Sequence, residues 1–547
     1  MNLLKTVIND LGNILKKNGI DEVIDIRISN LDNYDYQINN LVKYQNHPNI
    51  ETVKEEMSNS LTLSVLIDVF EFAKNLFLNI QINAESIIEN LEDVKNNILR
   101  ENKEAIIIDY GGPNIGKPLH VGHLRPLNIG RSIYLTNKII GNDINSDIHL
   151  GDWGMPVAQI ITYCNLKGIS FDELTINMLE EIYPNASKKY STDENFKKKS
   201  QETNKKLSSG EKEVFSHWKK ISELTLTALK ETLANLNHDF DYWWGESSVN
   251  DLIPDMLQSL ESEGRIEKDD GAFISSQITD PRILITKSDG SYLYITTDLA
   301  TAILRNKEIS HEKVLYVTDN RQKLHFEQLF KSLSFFDFPS KEYAHVGFGT
   351  INDPNGNPLK TRDGGNLKLV DLYEQAFNYI QKINSTLSES DLHCLTNTVL
   401  TYSDLITNRK TDYKFDLEKF TSVSGKTGIY VQYAQVRANK LVKTLSKDKP
   451  SLPITPPPLE TLDRNLVIAL ANIEFHLELS LKNNEPHHLA NYLYDISNAF
   501  NAFYQDSNIK KIENVDEKKQ KIFITTLFIE YSHLVMSCLG IKPVENM

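Results

Sequence analysis

His120-Val121-Gly122-His123 is the stretch of this chain best suited to chemistry, because it lies where a Gly/Pro-rich turn enters a helix. A helix N-terminus presents unpaired N–H groups and the positive end of the helix dipole, which suits phosphate. Two imidazoles at that place can donate to charge that develops on a phosphate. Gly122, with no side chain, leaves room for a flat adenine to approach the backbone. With 14 histidines and 24 glycines in 547 residues, H-x-G-H is rare by chance. The plainer alternative is that both histidines merely cap or pack the helix start.

The surrounding elements fit a site of this kind. Ala105 to Ile108 reads as a buried strand, followed by the turn and by a helix ending near Gly141. A second strand, INSDIHL, runs into Gly151-Asp152-Trp153-Gly154. Strand, turn and helix in alternation predict a doubly wound parallel sheet. From about Glu180 to Asn237 the chain is polar and helical, with lysines at 197 to 199, 205 and 206 that read either as a solvated face or as an RNA-facing patch. RILIT, SYLYIT and VLYVT are expected to supply the second half of the sheet. Beyond the loop NDPNGNPLKTRDGG the pattern is helical, broken by a Pro-rich linker at 450–458.

Composition narrows the class. Apolar residues make up 40% and charged residues 24%, which excludes a disordered or fibrous chain. Cys164, Cys394 and Cys538 are scattered, so no disulfide framework or sulfur-based zinc site is expected, and a reducing cytoplasm fits. No membrane span and no secretion signal are expected. The net charge of −15 argues against a protein coated all over by nucleic acid, though not against a local basic groove.

The segment Pro113 to His123, with Gly151 to Gly154, resembles the signature of class I aminoacyl-tRNA synthetases, and of the arginyl-tRNA synthetase family in particular. Similar blocks recur along the chain: GES at 245–247, YLYITTD at 292–298, RQKLH at 321–325, LKTRDGG at 359–365, NRKTDYKFD at 408–416 and GKTGIYVQYAQVR at 425–437. PHHLANYLYDISNAFNAFY at 486–504 and LGIKPVENM at 539–547 continue the likeness.

The resemblance implies an α/β protein with three parts. Residues 1–103 would be an N-terminal α+β domain contacting tRNA, and 104–365 a Rossmann-like catalytic domain with a helical insertion at about 155–240. Residues 366–547 would be an all-α anticodon-binding bundle. The resemblance implies a ligase that joins L-arginine to tRNA(Arg) through an arginyl-adenylate, using ATP with its Mg2+ and no metal bound by the protein. It also implies a cytoplasmic monomer that needs bound tRNA before it makes the adenylate.

Carried over residue by residue, Lys117, His120, His123, Lys360 and Arg362 would be catalytic. Pro113, Gly116, His120, Gly122, His123, Gly349 and Lys360 would bind ATP. Asn114, Glu246, Tyr294, Asp298 and Gln322 would bind arginine, and Tyr430, Gln432 and Tyr433 would contact tRNA, although helix core packing explains those last three equally well. A guanidinium ligand calls for carboxylates of planar, bidentate geometry, which Glu246 and Asp298 could provide.

The full K-M-S-K loop of most class I enzymes is replaced by Lys360-Thr361-Arg362, so Lys117 would take part of its work. Gly111-Gly112, Arg131 and Asn546 also depart from the family's habit. A small-metabolite nucleotidyltransferase is a rival that needs no C-terminal bundle. An inactive RNA-binding paralogue would be expected to have lost His120, His123, Glu246 or Asp298.

Overall fold

The computed structural model describes residues 5–31, 33–91, 98, 103–276, 282–288, 290–339, 341–357, 359, 367–446 and 450–547. Lys360 and Arg362 lie outside them.

The N-terminal part packs the helices Lys5–Lys17 and Ile50–Leu63 on an antiparallel sheet. Its strands are β1 (Ile26–Ile28), β2 (Tyr36–Ile38), β3 (Ile67–Phe72) and β4 (Leu78–Ile82), in the order β1-β2-β4-β3. This part docks on the C-terminal helices. Tyr36 Oη donates to Asn472 Oδ1 at 2.6 Å, Arg464 pairs with Asp35 at 2.7 Å, and Tyr531 Oη donates to Leu91 O at 2.7 Å.

The central sheet is parallel. It is built from β5 (Ala105–Tyr110), β6 (Asp143–Asp147), β9 (Lys313–Val317) and β10 (Glu342–His345), while β7 (Ile266–Asp269) and β8 (Ala272–Ser275) form a separate hairpin. The order β10-β9-β5-β6 places the change of winding direction between β5 and β9, so a crevice opens beyond their carboxyl ends. Ile107 and Val314, on these two strands, are fully buried, as expected for a sheet covered on both faces.

Two of the three strands expected in the second half do not join this sheet. Residues 283–286 pair instead with the β7–β8 hairpin, through Ser275 N to Ile283 O at 2.9 Å. SYLYIT turns helical at Tyr294, because the Thr296 hydroxyl accepts from Leu293 N at 3.3 Å and caps the helix Tyr294–Glu308. Local capping thus overrides the β-rich composition.

The insertion forms four helices, Met155–Lys167, Ile176–Thr192, Glu194–Ser208 and Lys212–Asn235. They have a small core of their own, and Ile115 of the turn after β5 is buried in it. Among the described residues the C-terminal half is helical from Leu369 to Leu539 apart from its connections, one of which holds the two-residue strand Tyr413–Lys414.

By length and mean hydropathy the helix Val515–Leu539 could cross a membrane, yet 67% of its apolar stretch is buried in the bundle. Such a helix, apolar on every side, is a core helix of the protein. The three cysteines are free.

Candidate active site

Chain direction after β5 is set by Gly111, whose φ of +93° lies in the region glycine enters without strain. This is one physical reason for the Gly111-Gly112 departure. The turn is then fixed by pairing, with Gly151 N donating to Pro113 O at 3.0 Å and Ile115 N to Gly151 O at 3.1 Å. A side chain at Gly151 would overlap Asn114 Oδ1, at 2.0 Å, so only glycine lets Asn114 lie against the G-D-W-G segment. Gly116 N donates to Thr225 Oγ1 of the insertion at 3.1 Å.

His120 and His123 form a reciprocal cap. Gly122 N donates to His120 Nδ1, and His120 N donates to His123 Nδ1, each at 3.1 Å. His120 Nδ1 accepts, which leaves its ring proton on Nε2, whereas His123 Nδ1 also lies 3.2 Å from His120 O and can accept from the N–H or donate to the carbonyl. Burial holds both imidazoles below their ordinary pKa, with Lys117 adding to the effect on His120 and the neighbouring His120 ring to that on His123, which falls to about 3. The turn therefore offers two imidazoles disposed against protonation, with His120 presenting an Nε2–H donor. Lys117 Nζ lies 5.3 Å from the centre of the Tyr183 ring, and burial lowers its pKa.

A second cluster is acidic. Glu246 is fixed by its N–H to Leu150 O at 3.0 Å. Burial, then the negative charges of Asp152 and Asp298, push its pKa up to about 8. Asp152 is itself buried, its carboxylate accepting from Ser247 N at 2.8 Å and Ser247 Oγ at 2.5 Å. Asp298 Oδ2 bonds His325 Nε2 at 2.7 Å, which raises the imidazole's pKa. Tyr294 stands one turn before Asp298 on the same helix and is 73% exposed. Gln322 is exposed at the start of the helix Lys323–Phe335 that carries His325. Crowded carboxylates, one of them pushed toward its protonated form by burial and then by its acidic neighbours, suit a cation.

Other candidates stand elsewhere. Gly349 is buried past β10, its N–H donating to Arg409 O at 2.8 Å. Gln432 is 0% exposed and spans Thr398 Oγ1, Lys542 O and Val544 N at 2.9, 2.7 and 3.1 Å. It pins the C-terminal tail and does not face RNA. Tyr433 is 41% exposed under the Arg437 guanidinium, and Tyr430 Oη bonds Asn498 Oδ1 at 3.1 Å.

Asp152 and His325 were not singled out in the sequence, although both lie in blocks that were. A further trio, Glu485, His487 and His488, gathers its ligand atoms within 4.8 Å, with Glu485 already paired to Lys410 at 2.8 Å.

Comparison with known proteins gives the class first. Residues 86–417 match the family described as tRNA synthetases class I (R), catalytic domain, and residues 431–547 match the DALR anticodon binding domain. The chain is 32% identical to an arginine–tRNA ligase of Agathobacter rectalis over 540 residues, covering 90% of each chain. It is 30% identical to one of Francisella tularensis subsp. tularensis, covering 93% of this chain and 92% of the other.

The fold matches the arginyl-tRNA synthetase of Plasmodium falciparum with a TM-score of 0.83 at 24% identity, covering 100% and 99% of the two chains. It matches that of Thermus thermophilus with a TM-score of 0.82 at 18% identity, covering 100% of both. The chain belongs to the arginyl-tRNA synthetase family.

Proposed function

We propose that this protein ligates L-arginine to tRNA(Arg) in two steps. In the first, a carboxylate oxygen of arginine attacks the α-phosphorus of ATP and pyrophosphate leaves. In the second, the 2′-hydroxyl of the tRNA's terminal adenosine attacks the arginyl carbonyl and AMP leaves.

The observation that carries this reading is the placement of two unlike sites at one crevice of the sheet. One offers two imidazoles and a lysine at a helix entrance. The other offers crowded carboxylates. The donors suit charge that grows on the phosphate in the transition state, and the carboxylates suit a guanidinium. Positioning supplies the rest of the rate, since little covalent help is needed.

Within this reading Asn114 holds the α-amino or carboxylate end of arginine. Glu246, Asp298, Tyr294 and Gln322 surround its side chain. Pro113, Gly116, Gly122 and Gly349 lie along ATP. Mg2+ comes with ATP on its phosphate oxygens, because the turn provides imidazoles and a lysine, which are poor partners for a hard cation. We place the protein in the cytoplasm, where its three free cysteines stay reduced, and take it to act as a monomer.

An inactive paralogue is disfavoured by the presence of His120, His123, Glu246 and Asp298 together. Charging of total tRNA with radiolabelled arginine tests the function. Failure to charge with arginine while another amino acid is charged would refute it.

A further inference from the structure

Residues 119–121 and 367–369 run side by side. Val121 N donates to Leu367 O and Leu369 N to Leu119 O, both at 2.9 Å, with His120 directly opposite Lys368. This is the non-hydrogen-bonded kind of antiparallel pair, in which the two side chains are close neighbours on one face. Lys368 is therefore a cation on the same face as the first histidine of the turn.

Its ammonium is held from a third direction. Lys368 Nζ donates to Glu180 Oε2 at 2.5 Å, with the side chains 38% and 20% exposed. Glu180 belongs to the insertion helix Ile176–Thr192, one turn before Tyr183, whose ring lies beside Lys117. Residues three apart share a helix face, so a single face of the insertion touches the lysines on both sides of the histidine turn.

A part-exposed ion pair of this kind is weakly held and readily exchanged. A triphosphate, with several charged oxygens, competes well against one carboxylate for the same ammonium.

We infer that Lys368 is a further phosphate-binding residue for adenylate formation, and that Glu180 is a competing carboxylate that holds its ammonium until ATP takes it over. The inference rests on the ligase reading above.

The test is ATP–pyrophosphate exchange by the full-length protein with tRNA present, varying ATP and arginine separately. Lys368→Ala should lower kcat/KM for ATP by about tenfold or more while KM for arginine stays within about twofold, and Lys368→Arg should restore most of the loss. Glu180→Gln should lower KM for ATP about two- to fivefold by removing the competing carboxylate, and this gain should vanish in the Lys368→Ala background.

Unchanged ATP kinetics in Lys368→Ala, with normal arginine exchange by the parent protein, would overturn the inference and leave the ligase reading standing. A strut would show instead as a lower melting temperature with ATP and arginine parameters reduced alike, and that too would overturn it. Parent protein that exchanges with an amino acid other than arginine would count against the ligase reading itself. Should Lys368→Ala not fold, Lys368→Arg and Glu180→Gln still decide the matter, since the inference requires the glutamine variant to change KM for ATP.

Discussion

Arg125 Nε donates to Asp404 Oδ1 across 3.0 Å, and the two side chains are 1% and 0% exposed. Arg125 is the second residue of the helix Leu124–Ile139, which begins directly after the paired histidines, and Asp404 lies at the end of the helix Glu389–Leu405. The same catalytic helix sends Arg131 to Thr401 Oγ1 at 2.8 Å and Ser132 to Cys538 O at 3.0 Å. Arg131 also donates to Leu236 O at 2.7 Å, so the arginine that departs from family habit is a buried clamp between three parts of the chain. Asp404→Ala leaves a buried guanidinium without its partner and should cost about 3 to 5 kcal/mol, read from urea unfolding. A loss below about 1 kcal/mol would mean that water reaches the pair.

That bonding also joins the bundle to the helix behind the histidine turn, and tRNA docked on the bundle is expected to act on the turn through it. ATP–pyrophosphate exchange with arginine alone should be near background and should rise when tRNA is added. Full exchange without tRNA would refute this coupling.

Without a bound cation Glu246, with its pKa pushed up to about 8, is mostly protonated at pH 7. A bound guanidinium favours the ionised form, so binding releases a proton, and arginine affinity should rise from pH 6 to pH 8 by up to about tenfold per pH unit. The direction is fixed because the free group carries the proton and the complex does not. Glu246→Gln should flatten this profile and lower kcat/KM for arginine by hundreds-fold, corresponding to about 3 kcal/mol or more. Calorimetry in buffers of different ionisation enthalpy would report the released proton; a buffer-independent enthalpy would exclude it.

Gln432 and Tyr433 are neighbours with opposite fates. Gln432→Ala strips partners from Thr398, Lys542 and Val544 and should destabilise the fold by about 1 to 3 kcal/mol. Tyr433→Ala should leave the melting temperature nearly unchanged and lower charging at limiting tRNA about tenfold, the size of one lost base stack. If Tyr433→Ala charges tRNA normally, its exposed ring is not an RNA contact.

A chain with net charge −15 that binds tRNA must gather its cations locally. tRNA affinity should therefore fall steeply between 50 and 200 mM salt, following counterion release, while arginine affinity changes little. Lys197, partly exposed and paired with Glu194 at 3.3 Å, is a weaker candidate for that surface than its neighbours Lys198 and Lys199, which are exposed. Parallel salt titrations of the two ligands would separate them, and equal slopes would contradict a confined arginine pocket.

What could be read along the chain was whatever a short segment specifies by itself. The strand Ala105 to Ile108, the histidine turn and the helix behind it follow from apolar runs, glycines and capping groups within some forty residues, and the structure has them in that order. The helical C-terminal half is likewise a matter of local periodicity. Residues 283–286 and SYLYIT carried the composition of sheet strands, yet the first joined a hairpin and the second started a helix, because pairing partners and the Thr296 cap outweighed propensity. Gln432 looked like any polar residue on a helix until the tail folded back onto it.

The elevated pKa of Glu246, the bond between Asp298 and His325 and the ion pair between Glu180 and Lys368 each depend on groups brought together from distant parts of the chain. Residue type sets what a side chain can donate, accept or ionise. Burial and the charges opposite it decide which of these it does, and those are properties of the tertiary path.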